Sequence, residues 1–538
     1  MKYYIIINNA SRAAAYGIGT YVRQLTGILK KSPSLQAFFI DLYAEEKEFS
    51  IVQDVDGFTH YKIPMASTRM EDERYCRMAY YLLSPYLTDS GPAIFHFNYF
   101  QHYPLALLLK AKSIHHRILF SVHYLDWCFE LNGNVMQFRE IVRTKVAEDK
   151  YRHIVYDFST AKHFLHLADE VIVLSRFCQH LLQSDYGISS NKLRLIYNGL
   201  QEVTFVRTNE GKNNPFVLFV GRLDKIKGVD YLIKAFGMVL RRHKDARLII
   251  VGDGDYNECL KHCKGIWDKV TFTGKISQEE LLDFYQKATI GVLPSFHEQC
   301  SYTAIEFMMH GIPFIGTDST GLGEMLDCVP QFRVHIKETE FSEGEFTTNL
   351  ADVICDLLEN ESVRHEASRK MIAQYHKMYT LQTMEERMSN LLNTTFLSKS
   401  SPLSQDFFEE LDGYVISLIH DKVDIDTNFY GMAGIGVYLW WRLGHPDLTK
   451  DEYKSYKIKE YLIYYLDWFH ESIVAEQKEC CEPELAITLV GMLRAGFYKT
   501  KVESLMTLLH CDIEMSLPEE CSPLVIMQNA MLMFTTKI

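Results

Sequence analysis

The stretch Leu293-Pro-Ser-Phe-His-Glu298-Gln-Cys-Ser-Tyr-Thr-Ala-Ile-Glu306-Phe-Met-Met-His-Gly311-Ile-Pro313 decides how the chain is read. An apolar run ends at Pro294, a short polar turn follows, and a helix opens beside the second of two glutamates that have seven residues between them. A loop entering a helix N-terminus offers unpaired N–H groups and a positive dipole end, which suits an anion. Two carboxylates would repel that anion unless they bound something else. Hydroxyl groups fit, because an ionised carboxylate only accepts hydrogen bonds and hydroxyls donate them. The combination points to a nucleotide-sugar pocket.

Outward from this stretch, short β-rich runs recur with helical segments between many of them. In the first half they are Tyr3–Asn9, Phe38–Ala44, Ala93–Asn98, Ile118–His123, Glu170–Ser175 and Leu193–Asn198. A second series runs through Pro215–Arg222, Arg247–Gly252, Val270–Gly274, Ile290–Pro294 and Pro313–Thr317. Near-continuous apolar strands between amphipathic helices predict parallel sheets covered on both faces. Two series predict two doubly wound α/β domains, with ligand sites at the carboxyl ends of the strands and hence in the cleft between the domains. The join is expected in the polar segment 206–215. Long helices without glycine or proline are expected from Asp352 to Phe396, followed by a linker, Ser398–Ser404, and a helical extension, Gln405–Ile538.

Acids outnumber bases by 69 to 56, a net charge of -13, which argues against non-specific nucleic-acid binding. No run reaches the roughly 18 apolar residues of a membrane span. The N-terminus turns polar too soon for a signal peptide. Twelve scattered cysteines then fit reduced thiols in a cytoplasm. Leu105–Arg117 reads first as a core-facing helix with a solvated rim, and second as a basic membrane-surface helix that would give peripheral membrane contact.

The segment Phe219-Val-Gly221-Arg222-Leu-Asp-Lys-Ile-Lys227-Gly228 resembles the Gly-Arg-(four residues)-Lys-Gly signature of retaining GT-B glycosyltransferases, and more narrowly of their family 4. Val251-Gly252-Asp-Gly254, Phe272-Thr-Gly274 and the Glu298/Glu306 pair follow in that family's order. The likeness covers about residues 1–396. It implies a GT-B fold: an acceptor domain, 1–205, and a donor domain with closing helices, 206–397, facing a cleft, with the extension 405–538 outside the resemblance. It also implies that Arg222 and Lys227 hold a donor diphosphate, that Glu306 grips the ribose and that Glu298 grips the transferred sugar.

These residue types suit that chemistry on independent grounds. Breaking an anomeric C–O bond leaves negative charge on the departing diphosphate, and fixed cations aimed there lower the barrier. An arginine binds phosphate oxygens bidentately, whereas a lysine acts as a point charge. By the same resemblance, Gly221, Gly252 and Gly254 lie in the loops that line the donor. Gly17 and Gly19, in Tyr16-Gly-Ile-Gly-Thr-Tyr-Val-Arg23, follow the first strand and let backbone approach a phosphate or an acceptor. His123 ends a strand and matches a family histidine near the reacting sugar. Asn198-Gly199 resembles the family's turn at the end of the first domain, a hinge-side or pocket-edge element. One departure stands out. The family has glycines after the first glutamate, whereas this chain has Gln299-Cys300-Ser301-Tyr302-Thr303; Ser301, Tyr302 and Thr303 are expected at the donor, where the Ser301 and Thr303 side chains would add hydroxyls to the pocket or narrow it.

Three Asp-x-Asp runs, at Asp54, Asp253 and Asp424, are discounted as chance matches, and Cys259, His262 and Cys263 lack a fourth zinc ligand. No metal or other cofactor is expected. In the extension, Gly431-Met-Ala-Gly434-Ile-Gly436 faintly resembles the glycine-rich helix starts of lanthionine-cyclase-like toroids, but Cys480-Cys481 has no adjacent histidine, so packing or peptide recognition is the expectation. The expected activity is retaining transfer of a sugar from a nucleotide-diphosphate sugar to a glycan, lipid-linked or peptide acceptor. The rivals are a GT-B sugar-nucleotide epimerase, a phosphorylase and a non-catalytic sugar- or peptide-binding scaffold. A scaffold would have no need of Arg222, Lys227 and both glutamates.

Overall fold

The computed structural model describes residues 2–397 except 11–16, 33, 66–71, 88–91, 113–115, 145–148, 204–213 and 338–340; beyond 397 it describes 435–436, 439, 462–468, 470–471 and 499–508. Most of the expected join, all of the expected linker, Gly431, Gly434 and Cys480-Cys481 lie outside the described residues.

Two sheets form. The first comprises β1 (Lys2–Asn9), β2 (Leu35–Ala44), β3 (Ser50–Gln53), β4 (Thr59–Pro64), β5 (Ala93–Phe97), β6 (His116–Val122), β7 (Glu170–Val173) and β8 (Leu193–Leu195), in the order β3-β4-β2-β1-β5-β6-β7-β8. The second comprises β9 (Phe216–Val220), β10 (Arg247–Val251), β11 (Val270–Gly274), β12 (Ile290–Leu293), β13 (Phe314–Thr317) and β14 (Arg333–Val334), in the order β11-β10-β9-β12-β13-β14. Every pairing is parallel except β3 with β4. The apolar runs explain this, for every residue of β5, β6, β7, β12 and β13 is buried, as strands covered on both faces must be. Helix Val229–Arg242 shows the complementary pattern, burying Val229, Leu232, Ile233, Phe236 and Val239 at helical spacing. Strand order reverses at β1 and at β9, and such switch points open a crevice at the carboxyl ends of the strands.

The chain crosses between the domains twice, and the crossings pair. Leu200 N–H donates to the Tyr379 carbonyl (3.0 Å), Leu381 N–H donates to the Leu200 carbonyl (2.8 Å), and Tyr375 Oη also donates to Leu200 (3.1 Å). Gly199 permits this, since a Cβ there would lie 2.5 Å from the Thr380 carbonyl oxygen. The last long helix, Leu381–Leu397, then returns to the first domain, where Glu385 meets Lys31 (2.6 Å) and Phe396 lies under Lys2. The closing helices are thus shared between the domains.

Helix Tyr103–Lys112 buries Leu105, Leu107, Leu108 and Leu109 in the first core, so the apolar residues that a membrane-surface reading needs are occupied. No helix among the described residues is long and apolar enough to cross a membrane. In the extension, Gly436 comes against Tyr465, whose ring a Cβ would meet at 2.9 Å, and Leu462, Tyr465, Leu466 and Val502 continue the first domain's apolar cluster. At Gly436 the packing expectation holds.

Gly199→Ala is expected to lower unfolding stability by about 1–3 kcal/mol, the usual cost of overpacking a closed contact. Urea unfolding measures this, and a midpoint equal to that of the parent would contradict the close contact between Gly199 and Thr380.

Candidate functional site

The two loops that follow β9 and β12 lock together at the second switch point. After β9 the chain makes a turn, Lys225–Lys227, that ends at Gly228 with φ +65°. A Cβ at Gly228 would lie 2.3 Å from the Pro294 carbonyl oxygen, so only glycine lets these loops close. Phe296 N–H donates to the Ile226 carbonyl (2.7 Å). This contact brings Lys227 Nζ to 2.6 Å from Glu298 Oε1, with 19% and 13% of the side chains exposed, and Ser295 Oγ donates to the same oxygen (3.0 Å). Such a pair is held by mutual neutralisation, because either charge alone would be poorly solvated.

Thr320 fixes the backbone of Glu298. Its Oγ1 accepts from Glu298 N–H (2.9 Å) and donates to the Glu298 carbonyl (2.8 Å), and Gly321 N–H donates there as well (2.8 Å). Thr320 sits at φ +41°, a strained conformation for a β-branched residue that persists only where surrounding contacts enforce it.

The helix after Glu298 runs from Tyr302 to Met309, and Ser301 caps it, its Oγ accepting from Ala304 N–H. Glu306 therefore sits on the second turn rather than at the helix start, and the Ser301 hydroxyl has a structural partner. Tyr285 Oη donates to Glu306 Oε2 (2.6 Å), and burial, opposed by this bond, pushes the Glu306 carboxyl up to about 7. The hydroxyl of Tyr302 has no partner among the described residues, and its ring is the nearest group to Gly17, a Cβ there lying 3.9 Å away. Gly19 is buried in helix Gly17–Lys30, and Thr303 is half-buried.

Arg222 pairs with another carboxylate. Its guanidinium reaches Asp224 (3.0 Å), each being more than a third exposed, which is a weak contact that a ligand can displace. Gly252 and Gly254, at φ +141° and +150°, lie against the carbonyls of Gly221 and Leu223, where Cβ atoms would come to 1.8 and 2.6 Å. These three glycines pack two loops together backbone to backbone at the strand ends.

From the first domain, His123 follows β6. Its Nε2 donates to Asn98 Oδ1 (2.9 Å), the Tyr21 ring stands edge-on at 4.6 Å, and burial holds the imidazole down at about 3, hence neutral. Beneath it, Ser121 Oγ lies 2.6 Å from His96 Nε2. This serine–histidine pair has a nucleophile's spacing, but His96 Nδ1 is bonded to Tyr4 Oη and Ser121 Oγ to Tyr21 Oη, so the pair is closed into a buried network within the first domain. Asn198 reaches the second domain, its side-chain amide donating to the Cys300 carbonyl (2.8 Å), beside the bond from Ser175 Oγ to Gln299 Oε1 (2.9 Å).

The discounted aspartates have local partners. Asp255 caps helix Tyr256–Lys261, Asp253 accepts from Gly254 N–H, and Asp54 accepts from Asp56 and Phe58 N–H. Asp424 lies outside the described residues. Among the described residues no three metal-ligating side chains converge. Sequence reasoning missed Tyr285, Ser295, His297 and Thr320. The first two are ordinary residue types, and no sequence signal marks Thr320's positive φ.

Two family models match the chain: Glycosyltransferase Family 4 over residues 17–202 and Glycosyl transferases group 1 over residues 201–374. Among curated relatives, an uncharacterised glycosyltransferase of Methanocaldococcus jannaschii is 32% identical over 29% of this chain and 44% of its own length. The alpha-D-kanosaminyltransferase of Streptomyces kanamyceticus is 27% identical over 33% of this chain and 45% of its own. The matches thus span less than half the length of these relatives. Among solved structures, the sucrose-phosphate synthase of Thermosynechococcus elongatus superposes with a TM-score of 0.58 at 19% identity, covering 74% of this chain and all of that one. Anabaena HepE in complex with UDP and glucose gives 0.53 at 15% identity, covering 73% and 99%. The fold is GT-B. Residues 17–374 thus resemble glycosyltransferases of the family 4 and group 1 type.

The raised Glu306 carboxyl sets a pH dependence. Between about pH 4.5 and 7 the folded chain keeps a proton that the unfolded chain has lost, so this group's contribution to stability declines as pH rises through that window. Glu306→Gln is expected to remove that decline, and the difference between the two unfolding curves as a function of pH measures it. Parallel curves from pH 5 to 8 would contradict the assignment.

Proposed function

We propose that the chain is a retaining glycosyltransferase that moves a sugar from a nucleotide-diphosphate sugar to an acceptor hydroxyl in polysaccharide, glycolipid or peptide glycosylation. The observation that supports this most is the Lys227–Glu298 contact at the switch point, a cation and a carboxylate that are each other's only charge-neutralising ion-pair partner among the described residues. A donor offers each a better use. Its diphosphate takes Lys227, and hydroxyls of its sugar take Glu298. Arg222 exchanges Asp224 for phosphate oxygens.

In this reading the anomeric C–O bond to the diphosphate breaks and its electron pair stays on the phosphate oxygen, where Lys227 and Arg222 stabilise the charge without a metal. The acceptor oxygen attacks from the face the diphosphate leaves, which retains the anomeric configuration, and its proton passes to the departing phosphate. Glu306 grips the ribose hydroxyls as a carboxylate. Neutral His123 stands on the opposite wall, near the reacting sugar. Gly17 and Gly19 let the first domain close on the donor, and Tyr302 and Thr303 shape the pocket around it.

Screening nucleotide sugars for thermal stabilisation identifies the donor, since a bound ligand raises stability with its occupancy. Lys227→Ala and Arg222→Ala are then expected to lower turnover by about 10²–10³-fold, the usual loss on removing one charge-stabilising group. Undiminished turnover contradicts the roles, and NMR of the product showing an inverted anomer contradicts retention.

A further inference from the structure

The loop before Glu298 and the loop after His123 touch across the cleft. Asn132 and Gly133 both have positive φ (49° and 70°), and the bend they make brings Gly133 against Phe296 and His297, where a Cβ would lie 2.6 Å from the Phe296 carbonyl oxygen and 3.5 Å from His297 Cβ. His297 is 5% exposed, and neither of its ring nitrogens has a hydrogen-bond partner among the described residues. Buried polar groups are as a rule satisfied, and an exception implies a missing partner. Burial, reinforced by the nearby charge of Lys227, holds the imidazole at about 3, so at neutral pH it offers one N–H donor and one acceptor. Phe129, from helix Asp126–Glu130, presents its ring edge-on to His297 at 6.3 Å while 42% exposed, and Tyr124 lies 5.8 Å from Phe129.

We propose that His297 and the exposed ring of Phe129 form the acceptor subsite, and that the acceptor is a sugar ring. The proposal rests on the glycosyl-transfer reading and narrows it. A pyranose presents an apolar face of C–H groups and an edge of hydroxyls. An aromatic face covers the first, and a neutral imidazole donates to one hydroxyl and accepts from another, the mixture of aromatic wall and few polar groups typical of small-molecule sites. A phosphate or carboxylate would need a cation, and Lys227, whose charge reaches His297, is neutralised by Glu298.

The test supplies the donor found by thermal screening with methyl glycosides of glucose, galactose, mannose and N-acetylglucosamine, with glycerol phosphate, and with a serine/threonine peptide. Transfer to at least one methyl glycoside is expected. His297→Phe and Phe129→Ala should each raise the KM for that glycoside about tenfold, the worth of one good contact, with a smaller change in kcat. His297→Gln, which keeps a donor and an acceptor, should recover part of the loss. If His297→Phe leaves that KM unchanged and raises the melting temperature, the histidine is merely an unsatisfied core residue and the proposal fails. It also fails if glycerol phosphate or the peptide is glycosylated and no methyl glycoside is. Absence of any donor turnover by the unmodified chain removes the transfer reading itself, and the subsite with it.

Discussion

The ion pair between Lys227 and Glu298 is the constraint on which the cleft depends. Two charges on loops 71 residues apart meet at 2.6 Å, and each is mostly shielded from water. Each is the other's nearby counter-charge. The surrounding backbone is arranged to hold them. Gly228 lets one loop close on the Pro294 carbonyl, Thr320 clasps both polar groups of the Glu298 main chain, and the strain at Thr320 is offset by those two bonds. A site preset in this way has already met the cost of bringing its charges together, and a donor needs only to exchange partners.

That preset loop is also where the two domains meet. Ser175 bonds to Gln299 and Asn198 to Cys300, while the backbone N–H of Arg176 donates to the Glu324 carboxylate (2.9 Å), on the helix that follows Thr320. Behind the cleft, the paired crossings at Leu200 and Thr380 form a short two-stranded connection. Movement about it changes the contacts of residues 299–300 directly. The angle between the domains and the placement of residues 299–300 are therefore tied by the same contacts, a property of the connectivity rather than of any single side chain.

Much of this was legible in the sequence, and what was not has physical causes. The eleven apolar runs all became strands, since continuous β-branched and aromatic stretches have few alternatives. Strands β3 and β14 escaped because they are short and partly polar, and β4, Thr59–Pro64, because its mixed Thr-His-Tyr-Lys surface lacks an apolar run. Residue type and spacing put Lys227 and Glu298 in loops that follow strands, and Glu306 near the start of the next helix. They could not show that Lys227 and Glu298 neutralise each other or that Tyr285 holds Glu306, for both contacts are set by strand order in the sheet. Ser301, read as a source of a pocket hydroxyl, is a helix cap. His297, next to the most informative residue in the chain, carried no signal until its burial could be seen.

A crystal structure with the nucleotide sugar bound tests the central claim most directly. The account predicts that Lys227 Nζ leaves Glu298 for the diphosphate oxygens while the Glu298 carboxylate accepts from hydroxyls of the sugar. A donor bound elsewhere, with the Lys227–Glu298 contact still closed, would contradict it.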